Sequence, residues 1–300
     1  MSKKITILIL IVFLFLLLFL CCTCGYIFFR TDQFTELKDR FTDSHDKNSD
    51  DSTENDTLDN DETEVQKYAI VVSGISNGGQ HYGWFKNSSD QAYKLLKQNG
   101  YLEENIYYLF ENENEPNVDY ESTLENFKKV ITELKEKSTQ SDSVVVILIG
   151  HGSYSGSHSS YALKDGNLQD DTMASLFQNI KRDKLIFVFS PCNSGGFVND
   201  LSGKDTIIIT STRQNETNSA AFIEPFLTSF GGEGDINADG KVSFAEAFNY
   251  ASNNVRDQYI NNNWGNLKEH AQLDDNSDGI SHEAPVPNGG DGKLASESYL

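Results

Sequence analysis

The chain has 300 residues, with 24 Lys and Arg against 45 Asp and Glu, a net charge of -21 and 38% hydrophobic residues. That length suits one large domain with appendages, or two small ones. So large an excess of acid argues against a nucleic-acid binder, which needs a basic face to neutralise phosphates. Of the four cysteines, Cys21, Cys22 and Cys24 cluster near the N-terminus and Cys192 stands alone, so no disulfide framework is expected in the main domain.

Residues 1–30 carry Lys3, Lys4 and Arg30 and no acid, and residues 5–29 are apolar apart from Thr6 and the cysteine cluster. A helix of roughly 25 residues at about 1.5 Å each reaches about 37 Å, enough to cross a bilayer. The stretch exceeds the apolar run of a cleaved signal and lacks its small-residue site, so an uncleaved transmembrane anchor is expected, with cleavage and secretion as the alternative. Acylation of the cysteines is a second reading of the cluster. Basic residues flank the span on both sides, so charge alone does not orient it. Residues 31–66 are rich in Asp, Glu, Ser, Thr and Asn with little apolar content, the composition of a disordered, self-repelling acidic linker.

Residues 67–300 alternate between strand-like and helix-like segments. Strands are predicted at 68–72, 106–110, 144–149, 185–189 and 206–210, and helices at 90–99, 124–137, 172–180, 220–230 and 244–258. The run at 144–149 is apolar throughout, as in a strand buried on both faces. This alternation predicts an α/β fold with a mainly parallel sheet flanked by helices on both faces.

In such sheets, ligands bind beyond the carboxyl ends of the strands. The strand at 144–149 runs into Gly150-His151-Gly152-Ser153, and that at 185–189 into Ser190-Pro191-Cys192-Asn193-Ser194-Gly195-Gly196. If the two strands are neighbours, His151 and Cys192 meet at the sheet end. A thiol becomes a strong nucleophile when a nearby imidazole takes its proton. The glycines let backbone approach a substrate carbonyl, so the N–H groups of Gly152 and Cys192 are candidates for an oxyanion hole. The other histidines follow no predicted strand.

These two motifs resemble the legumain-like cysteine peptidases, which share the caspase-like fold with caspases, clostripain-type peptidases and the catalytic subunit of GPI transamidase. The opening Tyr68-Ala69-Ile70-Val71-Val72-Ser73-Gly74, with Ser76-Asn77-Gly78 after it, is similar as well, as is Gly100-Tyr101 leading to Asn105-Ile106. The resemblance spans about residues 67–250. It implies Cys192 as nucleophile, His151 as the acid/base that protonates the leaving amine, and Asn77 as the residue that orients His151. This chain departs by about three extra residues between Asn77 and Asp90. It also has Asn193 where legumain uses an acid in its asparagine pocket. Arg213 falls where the family lines the pocket wall; pointing inward, it would favour an acidic P1 residue by charge pairing.

Residues 235–246 fit a twelve-residue calcium loop. Asp235, Asn237 and Asp239 occupy positions 1, 3 and 5, and Gly240 makes the turn at position 6. Lys241 offers its carbonyl, Ser243 stands at position 9 and Glu246 at position 12. Asp274-Asp275-Asn276-Ser277-Asp278-Gly279 begins a second such loop, but its twelfth residue is Pro285, so it is either a cation site or a set of Asp/Asn turns. A lone calcium loop suits the 10⁻⁴–10⁻³ M range of extracellular modules, which places the domain outside the cytoplasm.

The sequence therefore predicts a membrane-tethered, calcium-binding cysteine endopeptidase acting on peptide or protein substrates. The alternatives are a transpeptidase using the same dyad and an inactive calcium-binding surface protein on a peptidase fold.

Overall fold

The structure is a computed structural model that describes residues 65–217 and 221–300. The expected anchor at 1–30 and the linker up to residue 64 lie outside the described residues. Among the described residues, no helix is long and apolar enough to cross a membrane.

One eight-stranded sheet organises the fold. Its parallel strands are β1 (Lys67–Ser73), β2 (Ile106–Phe110), β3 (Tyr120–Glu121), β4 (Ser143–Ile149), β8 (Lys184–Phe189) and β9 (Thr206–Thr210). Two antiparallel edge strands, β10 (Gln272–Asp274) and β11 (His282–Glu283), complete it in the order β11-β10-β9-β8-β4-β1-β2-β3. The chain leaves β1 to one side for β2 and β3, then returns to add β4, β8 and β9 on the other. The topological switch point is therefore at β1 and β4, where open α/β sheets place their crevice. A separate antiparallel sheet, β5 (Gly152–Tyr154), β6 (Ser159–Leu163) and β7 (Gly166–Gln169), follows β4 directly.

Alternate strand residues bury into two layers. On one face, Val71, Val145, Ile147, Val188 and Ile209 pack with α1 (Tyr82–Gln98), α5 (Ile223–Thr228) and α6 (Phe244–Asn261). On the other, Ile70, Val146, Leu148 and Phe187 pack with α2 (Leu124–Lys137), α3 (Asp170–Phe177) and α4 (Val198–Leu201). A last short helix, α7 (Lys293–Ser296), closes the described chain. Helices on both faces explain why the central strands are apolar throughout.

The predicted strands and helices are all present, with one consequential shift: α1 begins at Tyr82, eight residues before the predicted start. Its first turns, with Gly83, Asn87, Ser88 and Ser89, have weak helix propensity, and burial of Phe85, Lys86, Ser88 and Ser89 overrides it. The three-stranded sheet, β3 and the edge strands are additions that the sequence pattern did not announce. β5–β7 draw on a Ser- and Gly-rich stretch without apolar alternation.

Candidate active site

Three adjacent strands deliver three side chains to one cleft. β1 leads into the Ser76-Asn77-Gly78 turn and then to His81 at the head of α1, β4 into Gly150-His151, and β8 into Ser190-Pro191-Cys192. His81, His151 and the half-buried Cys192 line a cleft of about 470 Å³ together with Trp84, Phe85 and Glu224. The neighbouring β4–β8 pairing that the His151–Cys192 reading requires is thus present.

The close approach of the two loops depends on glycine. A Cβ on Gly152 would lie 2.1 Å from the Cys192 carbonyl oxygen and 2.9 Å from Pro191 Cβ, so no larger residue fits between the His151 and Cys192 loops. After Cys192, a Cβ on Gly195 would meet the Gln214 amide nitrogen at 2.7 Å, and one on Gly196 would meet Ser159 Oγ at 2.1 Å. These glycines let the loop lie against β6 and the segment after β9.

Hydrogen bonds fix the rest of the Cys192 loop. Ser190 N–H donates to the Leu148 carbonyl at 2.9 Å, and Ser211 Oγ donates to the Ser190 carbonyl at 2.9 Å. Ser159 Oγ donates to the Asn193 carbonyl at 2.8 Å, while its N–H donates to buried Asp170 Oδ2 at 2.7 Å. The Tyr161 hydroxyl spans the ends of β1 and β4, reaching the Val72 carbonyl at 2.9 Å and the Ile149 carbonyl at 2.8 Å. Complete burial pushes the Tyr161 phenol well above its ordinary value, so it stays a neutral donor.

His151 has an unforeseen partner. His81 Nδ1 lies 3.1 Å from His151 Nε2, and the Phe85 ring meets the His151 ring edge-on with centroids 5.1 Å apart. Burial, and then the neighbouring His81, hold the His151 imidazole below its ordinary value. At neutral pH it is therefore an unprotonated base. His81 escaped the sequence reading because its helix seemed to start at Asp90. With α1 beginning at Tyr82, it falls at the carboxyl end of β1, a position that could have marked it.

The other predicted residues are placed less centrally. Asn77 is exposed at the tip of its turn with φ 52°, and no hydrogen bond joins it to His151. The turn is held instead by Ser76, whose N–H and Oγ donate to Glu111 at 2.7 and 2.6 Å. Among the described residues, it is His81 rather than Asn77 that contacts the His151 ring nitrogen. Arg213 does not line the cleft. Its guanidinium donates from Nε to Glu283 Oε1 at 2.7 Å and lies 3.6 Å from Glu216, so its charge is already engaged. Asn193 is buried with φ 59°, and its side-chain amide donates to the Gln214 carbonyl at 2.9 Å, bracing the loop rather than facing the cleft. Among the described residues, no lysine or arginine lines the cleft.

Residues 114–275 match the Peptidase C13 family, more than half of the chain. The chain belongs to the Peptidase C13 family. Membership makes it a cysteine peptidase, with proteins or peptides as substrates. The matched segment holds His151 and Cys192, whereas His81 precedes it. No curated protein sequence matches the chain. Among solved structures, a Geobacter sulfurreducens protein is similar with a TM-score of 0.48 and 12% sequence identity, over 74% of this chain and 95% of that one.

In the loop at 235–246, residues 236–241 are exposed and 242–245 buried, with Ala238 at φ 59° and Gly240 at φ 85°. Gly240 N–H donates to Asp235 Oδ2 at 3.0 Å, Asp239 N–H to Asn237 Oδ1 at 2.8 Å, and Lys241 N–H to Asp239 Oδ1 at 2.9 Å. Glu246 is engaged in a capping box, its Oε2 accepting from Ser243 N–H at 2.9 Å while Ser243 Oγ accepts from Glu246 N–H. Among the described residues, the three acid or imidazole groups with ligand atoms all within 4.8 Å of one another are His158, Asp170 and Asp171, outside this loop.

Proposed function

We propose that this C13-family chain is an endopeptidase in which Cys192 is the nucleophile and His151 the acid/base. The observation that carries the reading is the delivery of both residues to one cleft from neighbouring parallel strands, with Gly152 permitting close backbone contact. His151, unprotonated at neutral pH, takes the Cys192 proton. The thiolate then attacks the substrate carbonyl carbon, and the oxyanion is met by the N–H groups of Gly152 and Cys192. As the C–N bond breaks, the His151 imidazolium returns its proton to the leaving amine. Water, losing a proton to His151, resolves the thioester and restores the thiol. An acceptor amine in place of water would make the same site a transpeptidase.

The engagement of Arg213 and Asn193 elsewhere removes support for an acidic P1 preference set by Arg213. The loop at 235–246 is further proposed to hold calcium through Asp235, Asn237, Asp239, the Lys241 carbonyl, Ser243 and Glu246. What supports this is the turn at Gly240 and the oxygen-only donor set. Binding would require Glu246 to leave its capping contacts. The N-terminal apolar stretch is proposed to tether the domain outside the cytoplasm, where calcium reaches the range such a loop needs.

The test is labelling of the full-length protein by a peptidyl acyloxymethyl ketone series. Modification at Cys192, lost in Cys192→Ala and strongly reduced in His151→Ala, is the expected result. A folded protein that resists every probe, or labels equally without His151, would sink the mechanism.

A further inference from the structure

The segment 274–279 repeats the first half of the 235–246 loop in conformation as well as in residue type. Ser277 and Gly279 have φ 72° and 73°, matching the positive values at Ala238 and Gly240. Asp278 N–H donates to Asn276 Oδ1 at 2.9 Å and Ile280 N–H to Asp278 Oδ1 at 2.8 Å, the counterparts of the bonds at Asp239 and Lys241. Turn geometry of this kind also occurs without a ligand. The feature that calls for one is Asp274.

Asp274 ends β10 and is 1% exposed, yet its Oδ1 has no hydrogen-bond partner among the described residues. A carboxylate oxygen buried without a donor costs free energy that a cation removes. Ser202 and the Asn276 backbone hydrogen-bond the carboxylate, yet Oδ1 keeps no donor, and the acids Asp291 and Asp278 stand nearby. Asp291 is already occupied, accepting from His282 Nδ1 at 2.6 Å and from Asp275 N–H at 3.1 Å. Asp275 is likewise spent on the N–H groups of Gly292 and Ala295, both at 2.8 Å. In the His158 cluster, by contrast, the buried carboxylate has no oxygen without a partner, since both Asp170 oxygens accept hydrogen bonds.

We infer that Asp274, Asn276 and Asp278, with the Ile280 carbonyl, form a second calcium site at the edge of the sheet. The donors are all oxygens, the ligand class that hard cations take. Pro285 stands where the bidentate Glu of a full loop would be, so water completes the shell and the affinity is weak. The site bears on the cleft through two contacts. Gln272, two residues before Asp274, places its Oε1 2.7 Å from where a Gly195 Cβ would be, and β11 carries Glu283, the partner of Arg213. A bound cation therefore steadies the sheet edge that supports the Cys192 loop.

The test measures calcium binding and thermal unfolding on the full-length protein with the first loop disabled by Glu246→Gln. About one equivalent of calcium binds at millimolar concentration, with a calcium-dependent rise in Tm. Adding Asp278→Asn, an exposed position that leaves packing intact, weakens that binding at least tenfold and removes the rise. Loose association with the acidic N-terminal segment is common to both proteins and cancels in the comparison. In EDTA, Asp274→Asn melts no lower than its parent, because it replaces a buried carboxylate that has one oxygen without a donor, but it loses the response to calcium. Absence of that one equivalent, indifference to Asp278→Asn, an equal response to magnesium, or a large loss of Tm by Asp274→Asn in EDTA would each overturn the inference.

Discussion

Replacing His81 probes the active-site arrangement most directly, because it removes the side chain that meets His151 Nε2. The His81 Nδ1 to His151 Nε2 contact is 3.1 Å in a half-buried setting. A hydrogen bond between neutral groups contributes about 0.5–1.5 kcal/mol net. At about 1.4 kcal/mol per tenfold change in rate, His81→Phe should lower kcat/KM roughly 2- to 12-fold, mainly in kcat, since orientation of the base matters most in the transition state. The pH profile separates this from a general packing defect. Burial is the first cause of the low His151 value and His81 the second. His81→Gln keeps a polar partner while removing the second cause, so the His151 value rises yet stays below the ordinary imidazole range. The acid limb of kcat/KM then moves to higher pH. The assay is steady-state hydrolysis of a fluorogenic peptide across the acid range. Activity within twofold of wild type in His81→Phe, with an unmoved acid limb in His81→Gln, would refute a role for His81 in positioning His151.

Other perturbations follow from the same contacts. Gly152→Ala places a methyl 2.1 Å from the Cys192 carbonyl oxygen. Overpacking of that kind costs about 1–3 kcal/mol, so urea denaturation should show the loss and peptidase activity should fall at least about tenfold; an active, fully stable variant would contradict the close approach. Tyr161→Phe removes the buried hydroxyl that joins the ends of β1 and β4. It should lower stability by about 1–3 kcal/mol in the same assay, and an unchanged midpoint would show the bridge to be unimportant. The Asp170 hydrogen bond raises the His158 value, so this pair stabilises fully below the ordinary imidazole range and loses its contribution as pH rises through the raised folded value. His158→Gln should therefore lower Tm near pH ~5 and have little effect near pH ~9, whereas an equal loss at both would point to packing instead.

Much of this molecule was legible in its sequence because the informative signals are local. Continuous apolar runs marked the central strands, and glycine-rich segments after two of them marked His151 and Cys192. Position beyond a strand's carboxyl end already determines which residues can share a crevice. The Asp/Asn/Gly pattern at 235–246 was readable for the same reason, lying on one short stretch of chain.

Tertiary structure decided what depended on contacts between distant segments. Burial of Phe85, Ser88 and Ser89 drew α1 back to Tyr82 against weak local propensity and put His81, rather than Asn77, beside His151. Arg213 found its partner in Glu283, 70 residues away. Asn193 was committed to the Gln214 carbonyl, and the pairing of β10 with β9 buried the Asp274 carboxylate with one oxygen lacking a donor. Periodicity and motif spacing record which residues a strand or turn presents. Partners brought together by packing leave no such record in the chain.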